Sequence, residues 1–203
     1  MHLSSRFFAL FLLGTLSLAA LAPRTFPDGS SLAFSAKKIS ISSIRNAGKV
    51  TEYLYRGSQP GLNDLSELKK LGVTTMIDLR AESPHTAEQE RIRAEAMGIH
   101  FLRIPMSGFS TPTNSDLVRF FQVLRDSPKQ TVFVHCEFGQ DRTGVMIATY
   151  RIAFENWPPD EALTEMMAFG FNRPWHPSMV AYVRGLPNRL QSDAELKKAL
   201  KLD

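Results

Sequence analysis

The sequence has one cysteine, Cys136, among its 203 residues. A disulfide within the chain is therefore excluded, and the fold must be stabilised by its packed core. An unpaired thiol is either buried and inert or reactive, and a reactive thiol is at risk of oxidation outside the cytoplasm. The residues around Cys136 must decide between these two interpretations.

The sequence also has little net charge and no cluster of histidines, which argues against two classes of partner. The formal net charge is only +4, and Lys and Arg are scattered, without aromatic residues interleaved in a basic stripe. This argues against a nucleic-acid partner. His85, His100 and His176 stand far apart and match no metal-ligand spacing. We interpret them as surface or core residues, and we predict no metal and no cofactor.

The N-terminal segment has the layout of an export signal. Residues 7–22 are almost entirely apolar, follow Arg6 and end in Ala20-Leu21-Ala22. They predict a signal peptide over residues 1–22 and a protein exported to the periplasm. The run is short for a membrane span of about 20 residues. Pro23 suits cleavage poorly, however, so an uncleaved inner-membrane anchor through residues 7–22, facing the periplasm, is the alternative. A buried core helix is a weaker third choice, because the run has no polar face.

The rest of the chain alternates between strand-like and helical patterns. After a segment at 23–44, which holds a linker and the first strand, we expect strands at 49–55, 73–79, 99–104 and 131–134. A turn at 56–61 and helices at 62–71, 86–97, 117–124, 145–154, 160–169 and 178–186 lie between or after them. The alternation predicts a single α/β domain with a mostly parallel central sheet flanked by helices.

Residues 135–144 carry the chemistry of the sequence: they read His-Cys-Glu-Phe-Gly-Gln-Asp-Arg-Thr-Gly. A strand ends at Cys136, a tight loop follows, and Arg142 opens an apolar helix. Such a loop turns its backbone N–H groups inward and makes a nest for a tetrahedral anion beside a helix N-terminus. Gly139 permits a backbone angle that other residues resist, and the guanidinium of Arg142 can bridge two phosphate oxygens.

The same positive field favours the thiolate form of Cys136 over the thiol. We expect the Thr143 hydroxyl to donate to the sulfur and the His135 ring to fix the loop. A thiolate in this place can attack phosphorus and form a phosphocysteine, which water then hydrolyses. The reaction also needs an acid for the leaving oxygen and a base for the water.

This stretch resembles the signature loop of the protein tyrosine phosphatase superfamily: His-Cys, five residues, Arg, then Ser or Thr. The segments at 54–60, 77–80, 104–106 and 150–152 are similar to those of the compact dual-specificity-type phosphatases, including bacterial members. The resemblance implies a phosphatase catalytic domain at 45–186, with a C-terminal tail at 187–203. It further implies that Cys136 is the nucleophile and Arg142 the phosphate ligand.

The sequence departs from the family pattern at the general acid. The family places an aspartate about thirty residues before the cysteine. Residues 106–115 contain no acidic residue. Asp141, inside the loop, is the preferred candidate, because some branches of the superfamily carry a catalytic aspartate there. Asp116 is the second candidate, although it suits the cap of the next helix. The third alternative is that no dedicated acid exists.

The loop interior also bears on the substrate. Glu137, Phe138, Gly139, Gln140 and Thr143 are predicted to contact it, and none of them is basic. Acidic side chains repel polyphosphorylated ligands. We therefore expect a phosphorylated protein as the substrate, with phosphotyrosine first and phosphoserine or phosphothreonine next. A non-protein substrate such as an inositol phosphate is the alternative.

Three rival functions remain open at this stage. They are a rhodanese-like phosphatase, a catalytically weak domain that only binds phosphorylated partners, and a redox sensor based on the lone thiol. The Thr143-Gly144 ending argues against the first, and the intact Cys136 and Arg142 argue against the second. Two pairs of residues have undecided roles. Asp78 and Arg80 either orient the loop or form a structural ion pair, while Arg56 and Gln59 lie in a turn that borders the pocket.

Overall fold

The computed structural model describes residues 35–125 and 129–201. The predicted signal or anchor at 1–22 lies outside these residues. Six strands form one sheet in the order β1-β2-β3-β6-β4-β5. Their bounds are β1 Lys37–Lys38, β2 Gly48–Lys49, β3 Leu54–Ser58, β4 Thr75–Arg80, β5 His100–Met106 and β6 Val132–Cys136. The strands β3, β6, β4 and β5 run parallel, whereas β1 and β2 add an antiparallel edge. The predicted α/β architecture with a mostly parallel sheet is confirmed.

Within the described ranges, seven α-helices surround the sheet. They are α1 Leu65–Lys70, α2 Pro84–Ala96, α3 Asn114–Arg125, α4 Asp141–Glu155, α5 Pro159–Ala168, α6 Pro177–Ser192 and α7 Ala194–Leu200. Side chains alternate between the two faces of each strand. On one face Val134 and Cys136 join the core made by α3 to α7, and on the other Phe133 joins the core made by α1 and α2. Among the described residues, no helix combines the length and apolar character needed to cross a bilayer.

The central strand β6 leads directly into the site. It pairs with β3 on one side and β4 on the other, and Cys136 lies opposite Ser58 at its end. The carboxyl ends of parallel strands form the edge where α/β proteins bind ligands. The following helix, α4, is buried along residues 142–152. A helix that is apolar on all sides must be buried in this way, and that prediction is confirmed.

Several element boundaries differ from the sequence-based expectation. Residues 49–55 do not form one strand, because the chain reverses between β2 and β3. The strand β3 then continues to Ser58 into the segment expected to be a turn. Pro105 does not stop β5, since β5 is the edge strand and a proline there interrupts no inner ladder.

The two ends of the domain also differ from the expected boundaries. The strand β1 lies in the segment at 23–44, which was expected to hold the first strand, and it pairs with β2, so the sheet begins before residue 45. At the other end, position 186 falls within α6, and α7 buries Leu196 and Ala199 in the main core. The tail at 187–203 thus contributes packed structure up to residue 200.

A buried ion-pair network joins the sheet to α2. Arg80 donates to Asp78 at 2.8 Å and to Glu90 at 2.6 Å, and the three side chains are at most 1% exposed. Burial alone would raise the pKa of Asp78, but the hydrogen bonds from Arg80 outweigh it and hold that pKa below 3.8. The stabilisation from Asp78 is therefore complete above about pH 4 and is lost as the pH falls further. Of the two roles considered for Asp78 and Arg80, the structure contains the ion pair.

We predict that Arg80→Met lowers the free energy of unfolding by about 3–5 kcal/mol, because it removes the guanidinium that two buried carboxylates, Asp78 and Glu90, share. The matched control is Arg91→Met, since Arg91 pairs with Glu88 and Glu95 on the exposed face of α2. The control should cost about 1 kcal/mol or less. Urea unfolding at pH 7 measures both changes. Equal losses in the two variants would contradict the role assigned to the buried network.

Candidate active site

Cys136 and Arg142 meet at a cavity of about 420 Å³ at the carboxyl edge of the sheet. The two residues are 2% and 5% exposed. Between them lies the loop of residues 137–140, and α4 begins at Asp141. The thiol therefore lies beside the N-terminus of a buried helix, which favours anions. The cavity is lined by Glu82, Gly108, Phe109, Cys136, Glu137, Phe138, Gln140, Asp141, Arg142, Trp175 and His176.

Gly139 allows the loop to lie directly on β3. Its φ angle is +70°, in the left-handed region that favours glycine. A Cβ atom at this position would lie 2.5 Å from the carbonyl carbon of Gly57 and 2.6 Å from the amide nitrogen of Ser58. Both the backbone angle and the close approach therefore require glycine. Gly139 is not among the residues that line the cavity. The structure shows that it shapes the loop, and its contact with the substrate stays a prediction.

The loop carbonyls are held from the side of β3. Those of Glu137, Phe138 and Gly139 accept hydrogen bonds from Gln59 N–H, Asn46 Nδ2 and Arg56 Nη2, at 3.3, 2.9 and 2.8 Å. In a planar trans peptide the N–H points opposite to the carbonyl. The N–H groups of residues 138–140 are thereby turned to the other side of the loop. This arrangement makes the predicted anion nest.

Arg56 is the unexpected support of this nest. It lies in β3 and is fully buried, with its guanidinium carbon 4.0 Å from the centre of the Phe169 ring. Burial lowers the pKa of Arg56 to about 10, so the side chain remains charged at neutral pH. The sequence placed Arg56 in a turn beside the pocket. The structure instead puts a buried cation behind the loop.

Arg142 is held by two acceptors. Its Nη1 donates to Glu82 Oε2 at 2.7 Å and to the carbonyl oxygen of Met106 at 3.2 Å. Burial alone would lower the pKa of Arg142, but the bond to Glu82 and nearby negative charges raise it above its usual value. Glu82 was not identified from the sequence. Its position just after β4 was the available signal, because the carboxyl ends of neighbouring parallel strands meet at one edge.

The two acid candidates are separated clearly by the structure. Asp141 lines the cavity, and burial raises its pKa above the usual value although His176 and Arg142 lower it. Asp116 does not line the cavity. It accepts hydrogen bonds from the backbone N–H and hydroxyl of Thr113 at 2.9 and 2.7 Å, and Thr113 Oγ1 accepts from the N–H of Asp116. These bonds form a capping box at the start of α3.

His176 is buried, in line with one of the two predictions for it, but the structure also places it at the cavity, which the sequence did not indicate. Its Nε2 lies 3.5 Å from Asp141 Oδ1, and its ring stacks on Phe109 and Phe171 at centroid distances of 5.2 and 5.7 Å. His176 precedes α6, far along the chain from the loop. No local pattern showed that the start of α6 returns to the cavity. Proximity in the fold alone reveals this residue.

Two expected contacts to the loop are not made. The buried His135 faces α2, where its Nε2 is 2.9 Å from Glu90 Oε1 without the N–H geometry of a hydrogen bond. Thr143 Oγ1 is buried and has no hydrogen-bond partner among the described residues. It therefore does not donate to the sulfur of Cys136. Of the predicted substrate contacts, Glu137, Phe138 and Gln140 line the cavity, whereas Thr143 does not.

Comparison with known proteins agrees with this geometry. The family model described as "DSP-PTPase phosphatase fused to NAD+ Kinase" matches residues 35–172. The dual specificity protein phosphatase TpbA of Pseudomonas aeruginosa is 28% identical over 151 residues, which cover 69% of this chain and 62% of that protein. The rat phosphatidylglycerophosphatase and protein-tyrosine phosphatase 1 is 36% identical over 70 residues, 33% of this chain and 36% of that protein. The chain thus spans less than two thirds of the length of these curated relatives.

Solved structures show the same fold. A crystal structure of P. aeruginosa TpbA has a TM-score of 0.65 at 24% identity and covers 83% of this chain and 98% of that chain. The core catalytic domain of the PP-IP phosphatase SIW14 from S. cerevisiae also has a TM-score of 0.65, at 21% identity, with 80% and 95% covered. The family model matches most of the chain, and its match includes the whole loop from Cys136 to Arg142. The chain therefore belongs to the dual-specificity-type phosphatases of the family "DSP-PTPase phosphatase fused to NAD+ Kinase".

Proposed function

We propose that this protein hydrolyses phosphate monoesters through a phosphocysteine on Cys136. One observation carries the proposal: the thiol and the guanidinium of Arg142 line one cavity, at a loop in which the carbonyls of residues 137–139 are held from the side of β3. A tetrahedral dianion would meet backbone N–H groups, a helix N-terminus and a planar cation at once. This combination favours phosphate over other small anions.

The chemistry follows from the residues that line the cavity. The thiolate of Cys136 attacks phosphorus in line, and the bond to the leaving oxygen breaks as Asp141 gives that oxygen its proton. Asp141 is then a carboxylate and takes a proton from water, whose oxygen attacks the phosphocysteine and releases phosphate and the thiolate. The raised pKa of Asp141 supports this part, because it increases the protonated fraction available for the first step.

The mouth of the cavity supports an aromatic phosphate ester as the substrate. Phe109, Phe138 and Trp175 are 70%, 45% and 72% exposed there. Exposed aromatic rings at one opening offer stacking surfaces for a phenyl ring. The lining carboxylates Glu82 and Glu137 would repel a ligand with several phosphates. We therefore propose a phosphorylated protein as the partner, with phosphotyrosine first and dual specificity next.

The names of the relatives support two different substrate classes. TpbA is named a dual specificity protein phosphatase, and one of its crystal structures is a complex with pTyr. SIW14 is named a PP-IP phosphatase, which keeps an inositol phosphate as the competing substrate. The acidic lining of this cavity favours the first class.

We further propose that the chain is exported, on the strength of the apolar run at 7–22 and the Ala-Leu-Ala sequence before Pro23. The alternative is an uncleaved inner-membrane anchor that faces the periplasm.

Cys136→Ser should lower kcat for p-nitrophenyl phosphate by roughly 10³-fold or more, since the nucleophile is removed. Arg142→Lys should lower kcat/KM strongly as well, because an ammonium cannot bridge two phosphate oxygens. The matched control is Arg184→Lys, at an exposed pair with Asp160 on another part of the molecule. If either site variant retained the parental rate, the proposed function would be refuted.

Phosphate release from a phosphotyrosyl peptide should be faster than release from inositol hexakisphosphate at equal concentration. Trp175→Ala should raise KM for the peptide about 2- to 10-fold, which corresponds to one lost aromatic contact. Ile92→Ala is the control, as Ile92 is an exposed apolar residue on α2. Faster release from the inositol compound would reverse the assignment of the substrate class.

Expression of the full chain in a Gram-negative host should place it in the periplasmic fraction with the mass of a polypeptide that begins at Pro23. Intact-mass spectrometry of each fraction decides this. A full-length chain in the inner membrane, accessible from the periplasm, would support the anchor instead. A full-length chain confined to the cytoplasm would contradict export.

A further inference from the structure

The ring of His176 is fixed over Asp141 by its surroundings. It is 8% exposed and lies between Phe109 and Phe171, at interplanar angles of 29° and 27°. Phe109 comes from the segment after β5, and Phe171 from the turn after α5. Two aromatic rings from separate elements thus hold the imidazole plane, and Nε2 lies 3.5 Å from Asp141 Oδ1.

The tautomer of His176 follows from its two nitrogens. Nδ1 is buried and has no hydrogen-bond partner among the described residues. An N–H on that nitrogen would be left without an acceptor, at a cost in free energy. We therefore assign the proton to Nε2, which lies 3.5 Å from Asp141 Oδ1, a contact without hydrogen-bond geometry in this structure. Hydrogen bonds of this kind are often long without substrate and shorten during the reaction.

His176 is the side chain placed to orient Asp141, because the charged side chains nearest to this carboxyl are engaged elsewhere or offer no N–H. It is the first residue of α4, beside Arg142, whose guanidinium is already bonded to Glu82. The remaining titratable groups that line the cavity are Cys136 and Glu137. None of these side chains offers an N–H to Asp141 from the side of α6. The backbone N–H of Asn172 does contribute a hydrogen bond that lowers the pKa of Asp141, so His176 is the side chain, and not the only group, that orients the carboxyl. A carboxyl held at one oxygen leaves the other oxygen to carry the proton that is transferred.

We propose that His176 is a positioning residue that holds Asp141 by a hydrogen bond from Nε2–H to Oδ1, so that its second carboxyl oxygen delivers the proton to the leaving group. This inference rests on the proposed function. It also gives the segment after β5 a part in the reaction, through Phe109 and not through an acidic side chain. After proton transfer, the same N–H stabilises the carboxylate until it accepts a proton from water.

The test compares two substrates that differ in their need for an acid. p-Nitrophenyl phosphate has a good leaving group, whereas phenyl phosphate has a poor one and depends on protonation. His176→Phe keeps an aromatic ring in the stack but removes the N–H. We expect it to lower kcat for phenyl phosphate about 10-fold or more, since a misplaced group loses at least this factor, and to change kcat for p-nitrophenyl phosphate about 2-fold or less.

Two further variants make the result specific. His176→Gln places an amide N–H near the position of Nε2 and should restore a large part of the phenyl phosphate rate. His100→Phe is the matched control, because His100 is an exposed residue at the start of β5, and it should change neither rate. In an Asp141→Asn background, His176→Phe should have no further effect on the ratio of the two rates.

The outcomes separate this inference from the proposed function. Equal losses on both substrates in His176→Phe, or no rescue by His176→Gln, would overturn the positioning role. If His176→Phe does not fold, His176→Gln and the Asp141→Asn cycle decide: a phenyl phosphate rate that does not depend on Asp141 refutes the inference. If Asp141→Asn lowers kcat for phenyl phosphate selectively and His176→Phe does not, the inference about His176 is refuted and the proposed function stands. A wild-type protein that hydrolyses neither substrate refutes the proposed function itself.

Discussion

The junction between β6 and α4 depends on one constraint: the loop of residues 137–140 must lie against the backbone of β3. Gly139 makes this approach sterically possible, because a Cβ atom there would collide with Gly57 and Ser58. The buried guanidinium of Arg56 then holds the Gly139 carbonyl at 2.8 Å. Because the carbonyls of residues 137–139 are fixed on the side of β3, the N–H groups of residues 138–140 point to the opposite side of the loop. The anion nest is therefore a consequence of packing against β3.

The nest has cations behind the loop and in the cavity, and carboxylates at the mouth of the cavity. Behind the loop, Arg56 supplies a buried cation, and in the cavity Arg142 supplies a second one. The mouth, in contrast, carries carboxylates, and one of them, Glu82, is bonded to Arg142. A substrate with a single phosphate can satisfy the guanidinium without bringing further negative charge to these acids. The same balance is compatible with the proposed general acid inside the loop, since burial raises the pKa of Asp141.

Most of the sheet and the loop could be predicted from the sequence, because their signals are local. The all-round apolar pattern of residues 145–154 predicted a buried helix, and the order of residues 135–144 predicted the strand, nest and helix start. The prediction of one strand at 49–55 was wrong. The chain reverses direction between β2 and β3, and because the reversal contains no glycine or proline, the sequence shows no turn signal there. The prediction that β5 ends before Pro105 was also wrong. Proline interrupts the hydrogen bonds of an inner strand, but an edge strand such as β5 can contain it.

The parts of the site that were missed depend on distances across the fold. Arg56 supports the loop only because β3 lies next to β6 in the sheet order, which no motif states. Glu82 could have been inferred from its place after β4, whereas His176 could not, since its role depends on where α6 begins in space. Residues that belong to a contiguous motif were therefore found, and those that complete the site from other elements were not.

The central claim is that the sulfur of Cys136 becomes covalently bonded to phosphorus. The direct measurement is rapid acid quenching of the protein during turnover of an aryl phosphate, followed by mass spectrometry of the peptide that contains residue 136. The account predicts one phosphate on Cys136 in the parental protein and none in Cys136→Ser. Turnover at full rate with phosphate on another residue, or on none at any quench time, would contradict it.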